Sequence, residues 1–202
     1  MRIREKIRGL WTRFWGEDHD FISVVLFLSR PRTLTKISLN QAAARVRNQV
    51  SIRNTKTEFV VINGPVILVQ SRGHLLNVLS AARPYISDKE GFIKTRKNIE
   101  VCDAVLKHNA WLSVDYISGG KGRDIPVDAR YRAAARLAAE LLEDDCLAVC
   151  LPDKDVVVPV SSNTTELLRN FSSVAHFVEL SQQQIDKGEA NRHESARKLD
   201  VN

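Results

Sequence analysis

The sequence is poor in the residues that usually announce a chemistry. Its three cysteines, Cys102, Cys146 and Cys150, are an odd number with no CxxC spacing. That argues against a secreted disulfide framework and for a reducing, cytoplasmic compartment. No apolar run reaches the ~18 residues of a membrane span. The longest, FISVVLFL (21–28), follows Glu17, Asp18 and Asp20 and has no small-residue cleavage site, so a signal peptide is not expected. The five histidines show no HExxH motif, no Cys/His cluster and no facial-triad spacing. No metal or cofactor is therefore expected. There is no GxSxG elbow and no SxxK. Aromatic residues make up 6%, and they alternate with cations only at residues 11–15. A stacking platform for nucleic acid needs more than that.

The net charge is +6, but it is unevenly placed. Arg2, Arg4, Lys6, Arg8 and Arg13 face Glu5 alone within residues 1–15, so the arm holds +4 and the other 187 residues only +2. The body is not a basic platform. In the arm, Ile3, Ile7, Leu10, Trp11, Phe14 and Trp15 fall at helical spacing. Residues 1–16 read as a basic amphipathic helix. Its apolar stripe suits the protein's own core, a protein partner or second copy, or a membrane surface, with Trp11, Phe14 and Trp15 as the contacts.

The body repeats an order of elements. FISVVLFL reads as a strand, residues 34–50 as a helix burying Leu39, Ala42, Ala43, Val46 and Val50, and EFVVI (58–62) and VILVQ (66–70) as strands around the turn NGP. GHLLNVLSAARPY (73–85) reads as a short helix ending before Pro84. About 90 residues later, WLSVDYIS (111–118) is a strand and PVDARYRAAARLAAELL (126–142) a helix. CLAVCL (146–151) and VVVPV (156–160) are strands, and NTTELLRNF (163–171) is a short helix with Asn163 or Thr164 as cap. VAHFVEL (174–180) reads as one more strand. The expected fold is α+β: two internally duplicated βαββ(α) units with a mixed sheet and helices packed on one face. The units are 20–85 and 111–180. A linking helix lies in 86–110, with a Ser87/Glu90 capping box and Ile99, Cys102 and Leu106 at helical spacing. The polar segment 181–202 reads as a disordered tail.

ISVVLFLSRPRTLT, HNAWLSVDYISGGKGRDIP and AAELLEDDCLAVCLP resemble an uncharacterised bacterial family of unknown function, over about residues 20–170. The resemblance implies no activity, cofactor or catalytic residue.

The segment SGGKGRD (118–124) joins a strand to a helix. Gly119, Gly120 and Gly122 allow close backbone approach, Lys121 and Arg123 supply cations, and the helix start favours an anion. The loop after the first strand carries Arg30 and Arg32, and pseudo-symmetry would bring both basic loops to one end. Neither loop has Walker spacing. Asp115 is a lone carboxylate in an apolar strand, a candidate acid/base that His74 and His108 could join. Cys146 and Cys150 share a face of their strand by alternation. With no catalytic constellation, the expected function is a non-catalytic ligand-binding or protein-interaction module. Its basic βα loops would take an anionic small molecule or acidic segment. The alternative is a hydrolase or transferase using Asp115, with Lys121 and Arg123 as anion clamps.

Overall fold

A computed structural model describes residues 22–48, 59–63, 66–71, 74–117 and 125–183. Trp11, Phe14 and Trp15, the loop residues Gly119, Gly120, Lys121, Gly122 and Arg123, and the tail beyond 183 lie outside the described residues.

Seven strands form one sheet: β1 (Ile22–Leu28), β2 (Phe59–Asn63), β3 (Val66–Ser71), β4 (His74–Ala81), β5 (Ala110–Tyr116), β6 (Cys146–Leu151) and β7 (Val156–Pro159). Their order is β2-β3-β4-β5-β1-β6-β7, and every described pairing is antiparallel. The expected mixed sheet is thus corrected. The strands joined by the long helices do point the same way, as a crossover requires. They are not neighbours, however: β1 lies between β5 and β6, while β5, β4 and β3 separate β1 from β2. The strand after the helix therefore sits at the sheet's edge in the first segment and one strand in from the edge in the second. Both segments contribute to one sheet, but their strand orders differ.

Residues 74–81 are a strand, not the expected short helix. Leu76 and Val78 face one side, and Leu75, Asn77 and Leu79 the other. A strand that is apolar on both faces also satisfies the i, i+3, i+4 spacing of a helix, so periodicity misleads there.

Helices α1 (Lys36–Asn48) and α4 (Val127–Glu140) cover the first face. Thr35 and Ser38 cap α1 reciprocally: Ser38 N–H donates to Thr35 Oγ1, and Thr35 N–H donates to Ser38 Oγ, both at 3.1 Å. Leu39, Ala42, Ala43 and Val46 of α1 and Tyr131, Ala134, Ala135 and Ala138 of α4 pack on Ile22, Val24, Leu26, Leu112, Val114 and Val149. The small alanines let α4 lie close to the sheet. Glu140 ties the helices together, accepting from Arg45 Nε at 2.7 Å and from Arg169 Nε at 2.8 Å.

The second face is covered too, which corrects the one-sided arrangement. Helices α2 (Lys89–Ile93) and α3 (Asn98-capped, Ile99–Lys107) replace one linking helix. Asp88, not Ser87, caps α2, accepting from Gly91 N–H at 3.0 Å. The stripe of α3 that faces inward is Val101, Ala104 and Val105, while Ile99 and Leu106 point to solvent. These side chains pack on Val25, Phe27, Ala148 and Cys150. His108 locks this layer. Its Nε2 accepts from Tyr85 N–H at 3.1 Å and Ile86 N–H at 3.3 Å, so Nδ1 carries the proton toward Val105 O at 2.5 Å.

Helix α5 (Thr164–Arg169) forms, but its N-cap Asn163 makes no side-chain cap; Thr164 Oγ1 instead accepts from Ser161 N–H at 2.8 Å. Residues 174–183 are a helix, α6, not a strand. Ser173 Oγ accepts from His176 N–H at 3.2 Å at its start, and Phe177 stacks toward Phe171 at 5.6 Å. Val174, Phe177 and Ser181 recur at helical spacing, which outweighs the β-branched residues that suggested a strand. The helix also carries order past residue 180.

Cys146 and Cys150 lie on opposite faces. The register of β6 against β1 shifts at Phe27/Leu28, pairing Phe27 with Ala148 but Leu28 with Cys146. The extra residue of this bulge turns Cys146 to the first face, while Cys150 stays on the second.

Candidate functional site

The antiparallel pairing of β1 and β5 decides at which end of the sheet each strand hands on the chain. Leu28 pairs with Ala110 and Ile22 with Tyr116. The loop after β1 therefore leaves one end of the sheet, and the chain after Tyr116 leaves the other, about 20 Å away at strand rise. Arg30 and Arg32 thus follow the end of β1 that lies opposite the end where β5 finishes at Tyr116. Arg32 is also committed locally: its guanidinium grips Asp145 and donates to Leu141 O, with Glu143 at 3.6 Å. Arg30 is exposed.

At the other end of the sheet, the groove between α1 and α4 opens over β4. A pocket of about 120 Å³ lies there, lined by Val46, His74, Leu76, Ala129, Arg132, Ala133, Arg136 and Leu137. The floor is apolar, and the polar groups are two guanidiniums and an imidazole, with no carboxylate. At ~30 Å³ per water, this volume suits a small anion or one carboxylate or phosphate group better than a drug-sized ligand. Arg132 and Arg136 occupy successive turns of α4. Arg132 donates to Phe171 O at 3.1 Å and Ser172 O at 3.2 Å, and Arg136 to Arg169 O at 3.3 Å. These bonds fix both side chains, and those of Arg132 use two of its five guanidinium N–H groups. His74 Nδ1 lies 3.1 Å from Tyr116 Oη. The glycine-rich segment lies in the chain between Ile117, after β5, and Ile125, before α4, and α4 lines the pocket.

Sequence reasoning placed His74 on a helix and passed over Arg132 and Arg136. A signal was available. Like charges at i, i+4 repel on a helix surface, so two arginines there, flanked by Ala129 and Ala133, mark a place where something offsets the repulsion.

Asp115 is on the other face, paired in register with Ser23 on β1 and Asn77 on β4. It is 1% exposed. Ser23 Oγ donates to its Oδ1 at 2.6 Å and Ser113 Oγ to its Oδ2 at 3.1 Å. No cation among the described residues pairs with it. Burial therefore dominates and pushes its carboxyl up to about 7, against the opposing pull of the two serine hydroxyls. Directly opposite, the buried Oδ1 of Asn77 has no hydrogen-bond partner. A protonated Asp115 would put a donor at the strand position paired with this acceptor. Neither His74 nor His108 hydrogen-bonds Asp115. His74 lines the pocket on the first face, and His108 is sealed against Phe27 with ring centroids 4.5 Å apart. Burial, assisted by the Lys89 cation and opposed by the bond to Val105 O, pushes His108 down to about 4.

The cysteines have no activating surroundings. Burial first, with Asp145 adding and Arg32 opposing, pushes the Cys146 thiol up to about 12, and burial raises Cys150 as well. Among the described residues, no group of three His, Cys, Asp or Glu could hold a metal, and no helix is long and apolar enough to cross a membrane. Comparison with family models, curated proteins and solved structures finds no match.

Proposed function

We propose that the protein is a non-catalytic binding module for a small anionic ligand, or for the carboxylate of an acidic partner segment, seated between α1 and α4. The observation that carries this reading is the lining of the pocket: Arg132, Arg136 and His74 around an apolar floor with no carboxylate. Arginine suits the role, because its planar fork matches carboxylate and phosphate. Gly119, Gly120, Lys121, Gly122 and Arg123, in the segment that leads into α4, are proposed as a further wall of the pocket. Arg30 and Arg32 drop out of the site, since they leave the opposite end of the sheet. Binding is favoured over acid–base chemistry because Asp115 sits on the other face of the sheet, hydrogen-bonded to two serines.

A thermal-shift and calorimetric panel of inorganic phosphate, sulfate, acetate and malonate tests this. Ala133→Asp places a carboxylate in the pocket without removing either arginine. It should weaken anion binding tenfold or more, while Lys121→Ala with Arg123→Ala weakens it less. Binding that survives Ala133→Asp unchanged, or no binding by any anion, refutes the proposal.

A further inference from the structure

The second face of the sheet is covered unevenly. Helices α2 and α3 and the segment bearing Tyr85 pack over β1, β6, β7 and Trp111. Toward β3, β4 and the far end of β5, no described helix lies on this face. Yet Ser23, Asn77, Ser113 and Asp115 are each less than 5% exposed there. Around this polar row, Leu68, Leu75, Leu79 and Ile117 share the same face, are half-buried and belong to neither described core cluster. Leu68 is opposite Asn77, Leu75 and Leu79 flank Asn77, and Ile117 follows Asp115 by two. The result is an apolar strip with a desolvated polar centre, the form of a surface that another element covers.

We propose that this strip is the docking site of the chain's own N-terminal segment, residues 3–15, bound as an amphipathic helix. Three observations select that occupant. The segment enters β1 at Ile22, which pairs with Tyr116, so it arrives at the end of the sheet that bears the strip. Residues 16–21 form a six-residue connection with a reach of about 20 Å, and β1 to β3 spans three strand spacings, about 14 Å. A thirteen-residue helix is about 20 Å long and 10 Å across, enough to cover two to three strands along the strip. Its stripe of Ile3, Ile7, Leu10, Trp11, Phe14 and Trp15 supplies the apolar face, bordered by Lys6 and Arg13 on one side and by Arg4 and Arg8 along its Trp15 edge. The docking also accounts for the burial of Asp115, which no described helix provides. This inference does not depend on the anion pocket, which lies on the first face.

The test uses the full chain with Trp111→Phe, so that Trp11 and Trp15 are the two remaining tryptophans. Docking predicts blue-shifted emission and weak acrylamide quenching that do not depend on protein concentration. Leu79→Asp on the strip should shift the emission to the red and raise quenching toward that of the unfolded chain, with far-UV circular dichroism retained. If Leu79→Asp fails to fold, Leu75→Gln with Ile117→Gln serves instead. Solvent-exposed tryptophans before any change to the strip overturn the proposal. So does burial that appears only with rising concentration, which marks a second copy, or only with anionic vesicles, which marks a membrane.

Discussion

Asp115→Asn is the substitution with the most calculable consequence. The folded protein holds the Asp115 proton to about pH 7, whereas the unfolded chain releases it near 3.8. A shift of three units at about 1.4 kcal/mol each is worth roughly 4 kcal/mol. The folded pKa is raised, so this contribution is fully present below pH 4 and is lost as pH rises toward 7. His108 acts with the opposite sign. Its folded pKa lies near 4 instead of 6.5, so its contribution is present above 6.5 and is lost as pH falls toward 4. The two slopes oppose each other across the same window, so the wild-type stability curve should be nearly flat from pH 4 to 6.5. Asparagine keeps the shape of the protonated acid: it can accept from Ser23 and donate to Asn77 Oδ1. Asp115→Asn should therefore show stability that climbs with pH and exceeds the wild type above pH 7 by several kcal/mol. Urea denaturation of both proteins at half-unit pH steps measures the difference. Parallel curves from pH 4 to 7.5 would refute the reasoning, because they would mean that Asp115 is ionised throughout.

Other substitutions test separate parts of the account. Glu140→Ala removes the acceptor shared by Arg45 and Arg169; because both arginines are partly exposed and can rehydrate, the loss should be about 2 kcal/mol, below that of a fully buried pair, read as a lower urea midpoint at unchanged slope. Arg32→Ala should cost about 1–2 kcal/mol through Asp145 and Leu141, Arg30→Ala should be neutral, and neither should alter anion affinity. A disulfide reagent at pH 8 should modify half-exposed Cys102 rapidly and Cys146 and Cys150 only as the protein unfolds. Fast reaction of all three would contradict their burial.

Much of this fold was legible wherever one periodicity acted alone. The β-branched and aromatic run of β1 and the alanine stripes of α1 and α4 specify their elements. The reading failed where two forces compete. β4 carries apolar residues on both faces, so its pattern resembled a helix. α3 turns its exposed isoleucine and leucine outward, so its most visible stripe was the wrong one. The bulge in β6 broke the simple alternation of Cys146 and Cys150, and nothing in the six-residue run announces it. The largest miss was topological. Similar element order suggested similar strand order, but the sheet interleaves β1 and β5 as antiparallel neighbours. That single pairing puts the exit of β1 and the exit of β5 at opposite ends of the sheet. Asp115 was legible as an unusual carboxylate, but its companions Ser23 and Asn77 lie 92 and 38 positions away and only register unites them.

Anion binding in the cleft between α1 and α4 is the central claim. Titrating the isotopically labelled protein with inorganic phosphate at constant ionic strength tests it directly. Saturable resonance shifts at His74, Ala129, Ala133 and Leu137, absent in Ala133→Asp, are the predicted result. Unmoved resonances at all four, or shifts confined to Arg30 and Arg32, would contradict it.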